Sequence, residues 1–427
     1  MEEEDKNLKE LFNLYENNRF EEAISFGNIL LKDYSSNPVI YNILGAVYLA
    51  LNQKNNALNN FKKAIQLSPN FVEAYVNIAN IYKDSKHQKE SLVYYDSALR
   101  IKPDFDIALL NKGNLLLDMG KYHEAADNYN KAIAINPKLV EAYNNLGSLF
   151  ESLKKPEKAI ENYNKAIALK PEFIPAYRNL SKIYITLEKN NEAISILETL
   201  LTLIPKDPLA SHTLSSLKGE MESSYNKEYA KILFNSRANI FEEILVNQLQ
   251  YDGPNHLLNL LKELNINLKF NRTIDLGCGT GLSGLAFKDY SKYILGVDLS
   301  ENMIELSKQK EIYDDLIIGE INDIVIQQQE SFDLVISADV FTYLGDLNNL
   351  FSNIRKICKK DSLFIFSTEL NSSKGFKLNK TGRYSHSNNY IKEILKNNSF
   401  DLLKFKKENL RKEKEEWLKG GFYITKC

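Results

Sequence analysis

Proline recurs at Pro69, Pro103, Pro137, Pro171 and Pro205, each 34 residues after the one before. A fixed period of that length restricts the first half of the chain to stacked copies of one supersecondary unit. Other columns keep the same step. Tyr75, Leu109, Tyr143 and Tyr177 each follow a proline by six residues, and Tyr41 opens the frame one period earlier. Small residues stand in register at Gly45, Ala79, Gly113, Gly147 and Ser181, and again at Ala57, Ser91, Ala125, Ala159 and Ala193. Aromatics follow the second column at Phe61, Tyr95, Tyr129 and Tyr163. Two antiparallel helices per unit account for this order. Small residues let the helices approach, aromatics fill the gap, and proline ends the second helix because it cannot continue it. No such unit buries its apolar face alone, so neighbours must stack into an all-α solenoid with a concave groove.

These columns resemble the tetratricopeptide repeat over about residues 4–210, as a degenerate first unit and five clear ones. Lys112 and Leu200 depart from the column residues and weaken single contacts, not the register. Asn77, Asn111, Asn145 and Asn179 form one further column, which Ile43 breaks at its N-terminal end. Arrays of this family that carry an asparagine ladder hold an extended peptide through amide hydrogen bonds, so the resemblance implies a protein or peptide partner in the groove. The competing account is that asparagine is a common residue at this repeat position.

A chain of 427 residues is too long for one ordinary core. We divide it into a repeat solenoid at 1–210, a helical connector or cap at 211–264 and a third domain at 265–427. In the connector Tyr225, Tyr229, Ile232 and Leu233 are helically spaced, as are Ile240, Phe241, Ile244 and Leu245. Leu257, Leu258, Leu260, Leu261 and Leu264 mark one more amphipathic helix. A net charge of −2 offers no basic field of nucleic-acid scale. Cys278, Cys358 and Cys427 lack paired or metal-type spacing, so reduced thiols and no metal are expected. No apolar run reaches the ~18 residues of a membrane span. No secretory signal is visible, and a cytoplasmic protein is expected.

Thr273 to Gly284 reads TIDLGCGTGLSG, a short apolar strand running into a glycine-rich turn. Gly277, Gly279 and Gly281 alternate, which allows positive φ and close approach of a ligand. Leu282, Leu285, Ala286 and Phe287 then recur at helical spacing. A second strand, Tyr293 to Val297, ends in Asp298, well placed to take two ribose hydroxyls. Strand-like segments follow at Asp315–Ile318, Phe332–Ser337 and Leu363–Ser367, with helices between them, for example Leu347–Cys358. After a helix at Asn388–Lys396 come Phe400–Phe405 and Phe422–Lys426 with no helix between. The pattern predicts a doubly wound, Rossmann-like seven-stranded α/β sheet with an antiparallel C-terminal hairpin. The mixed-charge stretch Lys404–Lys419 reads as its solvated surface.

This order and its motifs resemble the class I S-adenosylmethionine-dependent methyltransferases over about residues 265–427. Asp275 to Gly281 matches the family's first motif, and Asp298 its ribose-binding acid. Gly319-Glu320-Ile321 resembles the third motif, and FDLVISADVFTYL (Phe332 to Leu344) the fourth. More narrowly, ADVFTYLGDL, FSTE (Phe366 to Glu369) and GRYSHSNNYI (Gly382 to Ile391) resemble bacterial methyltransferases with N-terminal tetratricopeptide repeats. The resemblance implies S-adenosylmethionine as cofactor, held by Asp275, Gly277, Cys278, Gly279, Gly281, Asp298, Leu299, Met303, Glu320, Ile321 and Ala338. It also implies that helices before the first strand can lid the cofactor, with Phe234 to Phe241 as the candidate, although plain packing is the simpler role. His386 is the candidate base, with packing or capping as its alternative; Asp339, Tyr343 and Glu369 lie after the fourth and fifth strands, where a ligand site is expected, with opening the next helix as the alternative for Asp339 and core packing as that for Tyr343.

The glycines also spell GxGxxG up to Gly284, and Asp298 would suit NAD. Asp275 two places before Gly277, together with the fourth-strand motif, favours S-adenosylmethionine. Two functions then stand: a methyltransferase whose repeats recruit the acceptor or a partner protein, or a peptide-binding scaffold whose sheet domain has lost catalysis. The sequence does not name the methyl acceptor.

Overall fold

A computed structural model describes residues 2–220, 227–329, 331–413 and 416–427. The chain forms two compact units, Met1–Ala193 and Ile194–Cys427. Tyr225 lies outside the described residues. No helix of the described residues is long and apolar enough to cross a membrane.

The first unit is helical throughout. Its helices are α1 (Glu2–Glu16), α2 (Phe20–Asp33), α3 (Pro38–Ala50), α4 (Lys54–Leu67), α5 (Val72–Asp84), α6 (Gln88–Ile101), α7 (Asp106–Asp118), α8 (Tyr122–Ile135), α9 (Val140–Ser152), α10 (Pro156–Leu169) and α11 (Ile174–Thr186). The division between units falls within α12 (Asn190–Leu203). Each helix from α3 to α9 that opens a repeat packs on the helix that follows it. The small and aromatic columns meet as their chemistry requires. A Cβ on Gly45 would stand 2.5 Å from the Phe61 ring, and one on Gly113 or Gly147 would stand 2.6 Å from Tyr129 or Tyr163. Those rings are fully buried. A buried phenol needs a partner, and Tyr129 donates to Asn114 Oδ1 at 2.8 Å. The six-residue offset from the proline also has a cause. Tyr75 and Tyr177 donate to the carbonyls of Pro69 and Pro171 at 3.2 and 2.9 Å, and Tyr41 does the same to Ser35 at 3.1 Å.

In the second unit α13 (Pro208–Lys218), α14 (Lys227–Arg237), a π-helical turn at Glu243–Gln248 and α15 (Gly253–Lys262) precede the sheet. The order then runs β1 (Thr273–Leu276), α16 (Leu282–Phe287), β2 (Ile294–Asp298), α17 (Glu301–Lys308), β3 (Asp315–Ile318), α18 (Ile321–Gln327), β4 (Phe332–Ser337), α19 (Asn348–Ile357) and β5 (Cys358–Glu369). It continues through β6 (Phe376–Leu378), β7 (Tyr384–His386), α20 (Asn388–Asn397), β8 (Asp401–Glu413) and β9 (Glu416–Lys426). The main sheet has the spatial order β3-β2-β1-β4-β5-β9-β8. Its first five strands are parallel, and β9 pairs antiparallel with both β5 and β8. One apolar core lies against each face, which is why the inner strands β2 and β4 are mostly apolar along their length. Strand order reverses at β1, between β2 and β4. A doubly wound sheet opens its ligand crevice at the carboxyl ends of such strands.

Two features differ from the expectation. The C-terminal hairpin is longer than its two apolar runs, extending to Glu413 and starting again at Glu416. It is not solvated throughout, since Leu410 and Arg411 are buried. The small antiparallel pair β6–β7 was not expected; its strands are three residues each, too short for a readable alternation.

Candidate active site

The glycine turn is tied to the end of the neighbouring strand: the Gly277 and Cys278 amides both donate to the Val297 carbonyl, at 2.8 and 2.9 Å. Gly277, Gly279 and Gly281 have φ of +75°, +53° and +96°. They serve different ends. A Cβ on Gly279 would enter open space, with the Phe241 ring 4.0 Å away as its nearest neighbour. Gly281 and Gly284 instead make room for Tyr313, whose ring lies 3.3 and 2.4 Å from the Cβ positions they lack.

The two motif acids are likewise distinct. Asp298, at the end of β2, accepts the Gly279 amide on Oδ2 at 2.9 Å and the Ser300 amide on Oδ1 at 2.8 Å. Burial raises its pKa, and those amides oppose the shift. Asp275 lies wholly buried beneath the loop. Its Oδ2 accepts from the Tyr313 hydroxyl at 2.6 Å, while Oδ1 has no partner among the described residues. Burial, against the Tyr313 hydrogen bond, pushes its pKa up to about 7.

A cavity of about 190 Å³ opens over the turn. Gly277, Cys278 and Gly279 form its floor, with Asp298, Leu299 and Met303 on one side and Ile321 and Ala338 on another. Gly281, Asp275 and Glu320 do not line it. Glu320 caps α18 instead, accepting the Asp323 amide at 2.9 Å. Phe234 from α14, Phe241 and the π-helical turn form the roof. The roof is fastened to the sheet: Ser300 Oγ donates to Asn235 Oδ1 at 2.6 Å, and Asn302 Nδ2 donates to the Asn235 carbonyl at 2.9 Å. The segment Phe234–Phe241 therefore covers the cavity as well as packing.

The far end of the cavity is polar. Asp339 follows β4 in a left-handed conformation, φ +58°. Arg411 Nη1 donates to its carboxylate at 2.6 Å, and Arg411 Nη2 donates to Glu369 Oε2 at 2.7 Å. The Arg411 side chain is only 3% exposed. Burial opposes its charge, and the Asp339 and Glu369 carboxylates outweigh burial and keep it protonated. Arg383 continues the chain of ion pairs to Glu369 at 3.3 Å and Glu413 at 2.8 Å. Tyr343 also lines this end, its ring edge-on to Phe234 at 4.8 Å.

His386 is elsewhere. It is fully buried on β7, its Nε2 sits 2.9 Å from the Gly345 carbonyl, and it does not line the cavity. Burial depresses its pKa to about 4, so the ring is neutral and enclosed. The structure does not bring it to the site as a base; Ser387 beside it caps α20 through the Tyr390 amide at 3.2 Å.

Sequence reasoning missed Arg411, Arg383 and Tyr251 in the cavity wall and Tyr313 beneath the loop. Arg411 was hidden by a register shift between Asn409 and Arg411, which puts Leu410 and Arg411 both inside and breaks the alternation that marks an inward face.

The donor set fits a nucleoside: a carboxylate at a strand end, a floor that a Cβ at Gly279 would invade, and an apolar wall of Leu299, Met303 and Ile321. Residues 274–366 match the family model described as a methyltransferase domain. Repeat models match residues 45–86, 72–105, 113–154, 140–173 and 174–207. The chain carries a class I methyltransferase domain behind tetratricopeptide repeats. Among curated proteins it is similar to the malonyl-[acyl-carrier protein] O-methyltransferase of Priestia megaterium, 34% identical over 176 residues, 38% of this chain and 61% of the relative. It is also similar to the ubiquinone biosynthesis O-methyltransferase of Coxiella burnetii, 25% identical over 39% of this chain and 71% of that one. The chain thus spans about three fifths of the first relative's length. A magnesium protoporphyrin IX methyltransferase from Synechocystis, solved with bound SAM, aligns at 17% identity with a TM-score of 0.37, over 47% of this chain and 96% of that one.

Ahead of the methyltransferase domain, the asparagine column is half-buried along the repeats. Asn77 Nδ2 donates to Asn42 Oδ1 at 3.1 Å, Asn145 Nδ2 to Asn114 Oδ1 at 2.8 Å and Asn179 Nδ2 to Asn144 Oδ1 at 3.0 Å. Each bond joins one repeat to the one before. Asn111 keeps the same half-buried position.

Proposed function

We propose that the chain is an S-adenosylmethionine-dependent methyltransferase whose repeats bind a protein or peptide. The observation that carries this reading is the shared cavity: Asp298 and the bare backbone of Gly279 face the same space beneath an apolar roof. S-adenosylmethionine, when bound, supplies a methyl group on a sulfonium. Asp298 would accept the ribose hydroxyls; its backbone hydrogen bonds hold the carboxylate in one orientation. Leu299, Met303 and Ile321 would enclose the base, and Gly277, Cys278 and Gly279 would meet the amino-acid part. Asp275 acts from below through Tyr313 and keeps the loop in place. Phe234 and Phe241 exclude water, which strengthens every electrostatic contact inside and protects a charged donor. Positioning supplies much of the remaining acceleration.

The functional division we infer is 1–210 for partner binding, 211–264 for the roof and 265–427 for the cofactor. A carboxamide has two donors and an acceptor. The inter-repeat bonds use one Nδ2 hydrogen of Asn77, Asn145 and Asn179, which leaves each amide oriented and able to bond a peptide backbone. The test is transfer of labelled methyl groups from S-adenosylmethionine into a cell lysate. Wild type should label an acceptor, and Asp298→Ala should lose at least about tenfold of that labelling. Asn145→Ala with Asn179→Ala should lose capture of any partner that wild type retains. Unchanged labelling with Asp298→Ala, or unchanged capture with the asparagine pair, contradicts the corresponding half of the proposal.

A further inference from the structure

We propose that the polar end of the cavity docks the carboxylate of an acidic methyl acceptor, held by Arg237 and the Tyr343 hydroxyl. This rests on the methyltransferase reading and names the substrate class for it. Apart from Asp298, assigned above to the ribose, the charged residues that line the cavity are Asp339, Arg237, Arg383 and Arg411. Two of these arginines are already engaged by acids: Arg411 by Asp339 and Glu369, and Arg383 by Glu369 and Glu413. Arg237, exposed in the last turn of α14, makes no hydrogen bond or ion pair among the described residues. Tyr343 is half-buried in the same wall, and its hydroxyl likewise has no partner among the described residues. That hydroxyl keeps accessible surface, whereas the orphaned Tyr251 hydroxyl is enclosed. The two free groups are neighbours. Phe234 and Arg237 stand three apart on α14 and share a face, and the Phe234 ring meets the Tyr343 ring edge-on at 4.8 Å. Burial, and then the Asp339 charge, raise the Tyr343 pKa, so the phenol stays a donor; the Arg411, Arg383 and Arg237 charges act on it in the opposite sense.

A carboxylate answers both free donors at once. The guanidinium presents five N–H donors in a planar fork that matches carboxylate geometry, and the phenol adds one more. Asp339 does not reverse this, because Arg411 Nη1 contacts both of its carboxylate oxygens and answers its charge from behind. An ammonium would meet the one cation of the wall that has no counter-charge. A phosphate dianion would bring one charge more than Arg237 carries and set it beside Asp339. A neutral hydroxyl or amide uses the same donors, but charge-assisted hydrogen bonds are roughly twice as strong as neutral ones. The position also suits the acceptor. Phe241 covers the glycine floor, 4.0 Å from the Cβ position of Gly279, while Phe234 and Tyr343 mark the end of the cavity that follows β4. The wall there, with Leu233, Val340 and Leu344, fits an apolar body behind the carboxylate.

The experiment uses the full chain saturated with S-adenosylhomocysteine, titrated by ligand-observed NMR with 4-ethylbenzoate and with 4-ethylbenzamide, its neutral counterpart of the same shape. The benzoate should bind about tenfold or more tightly than the benzamide, the size expected for a charge-assisted contact over a neutral one. Arg237→Gln should erase most of that preference, and Tyr343→Phe should weaken the benzoate by about threefold or more. Both variants should keep wild-type affinity for S-adenosylhomocysteine, which also shows that they fold. Equal binding of the two probes, a benzamide preference, no binding of either, or a benzoate preference that survives Arg237→Gln overturns the proposal. So does a loss of S-adenosylhomocysteine affinity in Arg237→Gln, which would assign that arginine to the cofactor's own carboxylate. Failure of the wild type to bind S-adenosylhomocysteine would instead bring down the methyltransferase reading itself.

Discussion

Two acids on adjoining strands divide the work around the glycine turn. Asp298 faces the cavity; Asp275 faces Tyr313, whose ring also occupies the space over Gly296, the register partner of Asp275 on β2. The raised pKa of Asp275 makes a stability prediction. Its folded value near 7 lies above the usual carboxylate value, so the native state holds a proton that the unfolded chain releases. Stability from this group is full below about pH 4 and falls until about pH 7, by an amount on the order of 4 kcal/mol. His386 works in the opposite direction: its folded pKa of about 4 lies below the unfolded value, so it adds stability as pH rises to about 6.5. Comparing wild type with Asp275→Asn by urea denaturation at pH 5 and pH 8 isolates the first effect. The wild type should lose stability relative to the variant on going to pH 8; a constant difference contradicts the buried proton. At this scale the glycines and Asp298 were legible because their spacing is local. Arg411 and Tyr313 were not, because each reaches its partners from another element, and nothing in their own neighbourhoods signals it.

At the scale of elements, the repeat period also fixes the turns. Asn18, Asn52, Lys86, Gly120, Lys154 and Glu188 stand 34 apart, and all have φ between +55° and +71°. Each ends the first helix of a pair in the left-handed conformation that glycine adopts without a Cβ penalty. Only Gly120 carries the fitted residue. A Cβ there would meet nothing within 4 Å, so the cost of Gly120→Ala is backbone alone, about 1 kcal/mol. Lys154→Gly, at an exposed position, should shift stability the other way by up to about 1 kcal/mol. Urea midpoints for the two variants check both signs; equal shifts in one direction would contradict the backbone account. The helices themselves were readable because five columns repeated together, and the inner parallel strands β2, β4 and β5 because burial on both faces made their runs largely apolar. The β6–β7 pair and the bulge in β8 were not, since three-residue strands and a broken alternation leave no period to find.

For the whole molecule, each unit has its own core and its own chemistry: amide columns in the repeats, and a roofed cavity at the switch point of the sheet. The repeats predict what the protein meets and the sheet predicts what it does, so the two claims fail independently. The measurement that bears most directly on the central claim is calorimetric binding of S-adenosylmethionine to wild type and to Asp298→Ala, with NADH as a control. The account predicts binding to wild type, a loss of at least about tenfold in the variant, and no binding of NADH. No binding by the wild type, or equal affinity in the variant, would contradict it.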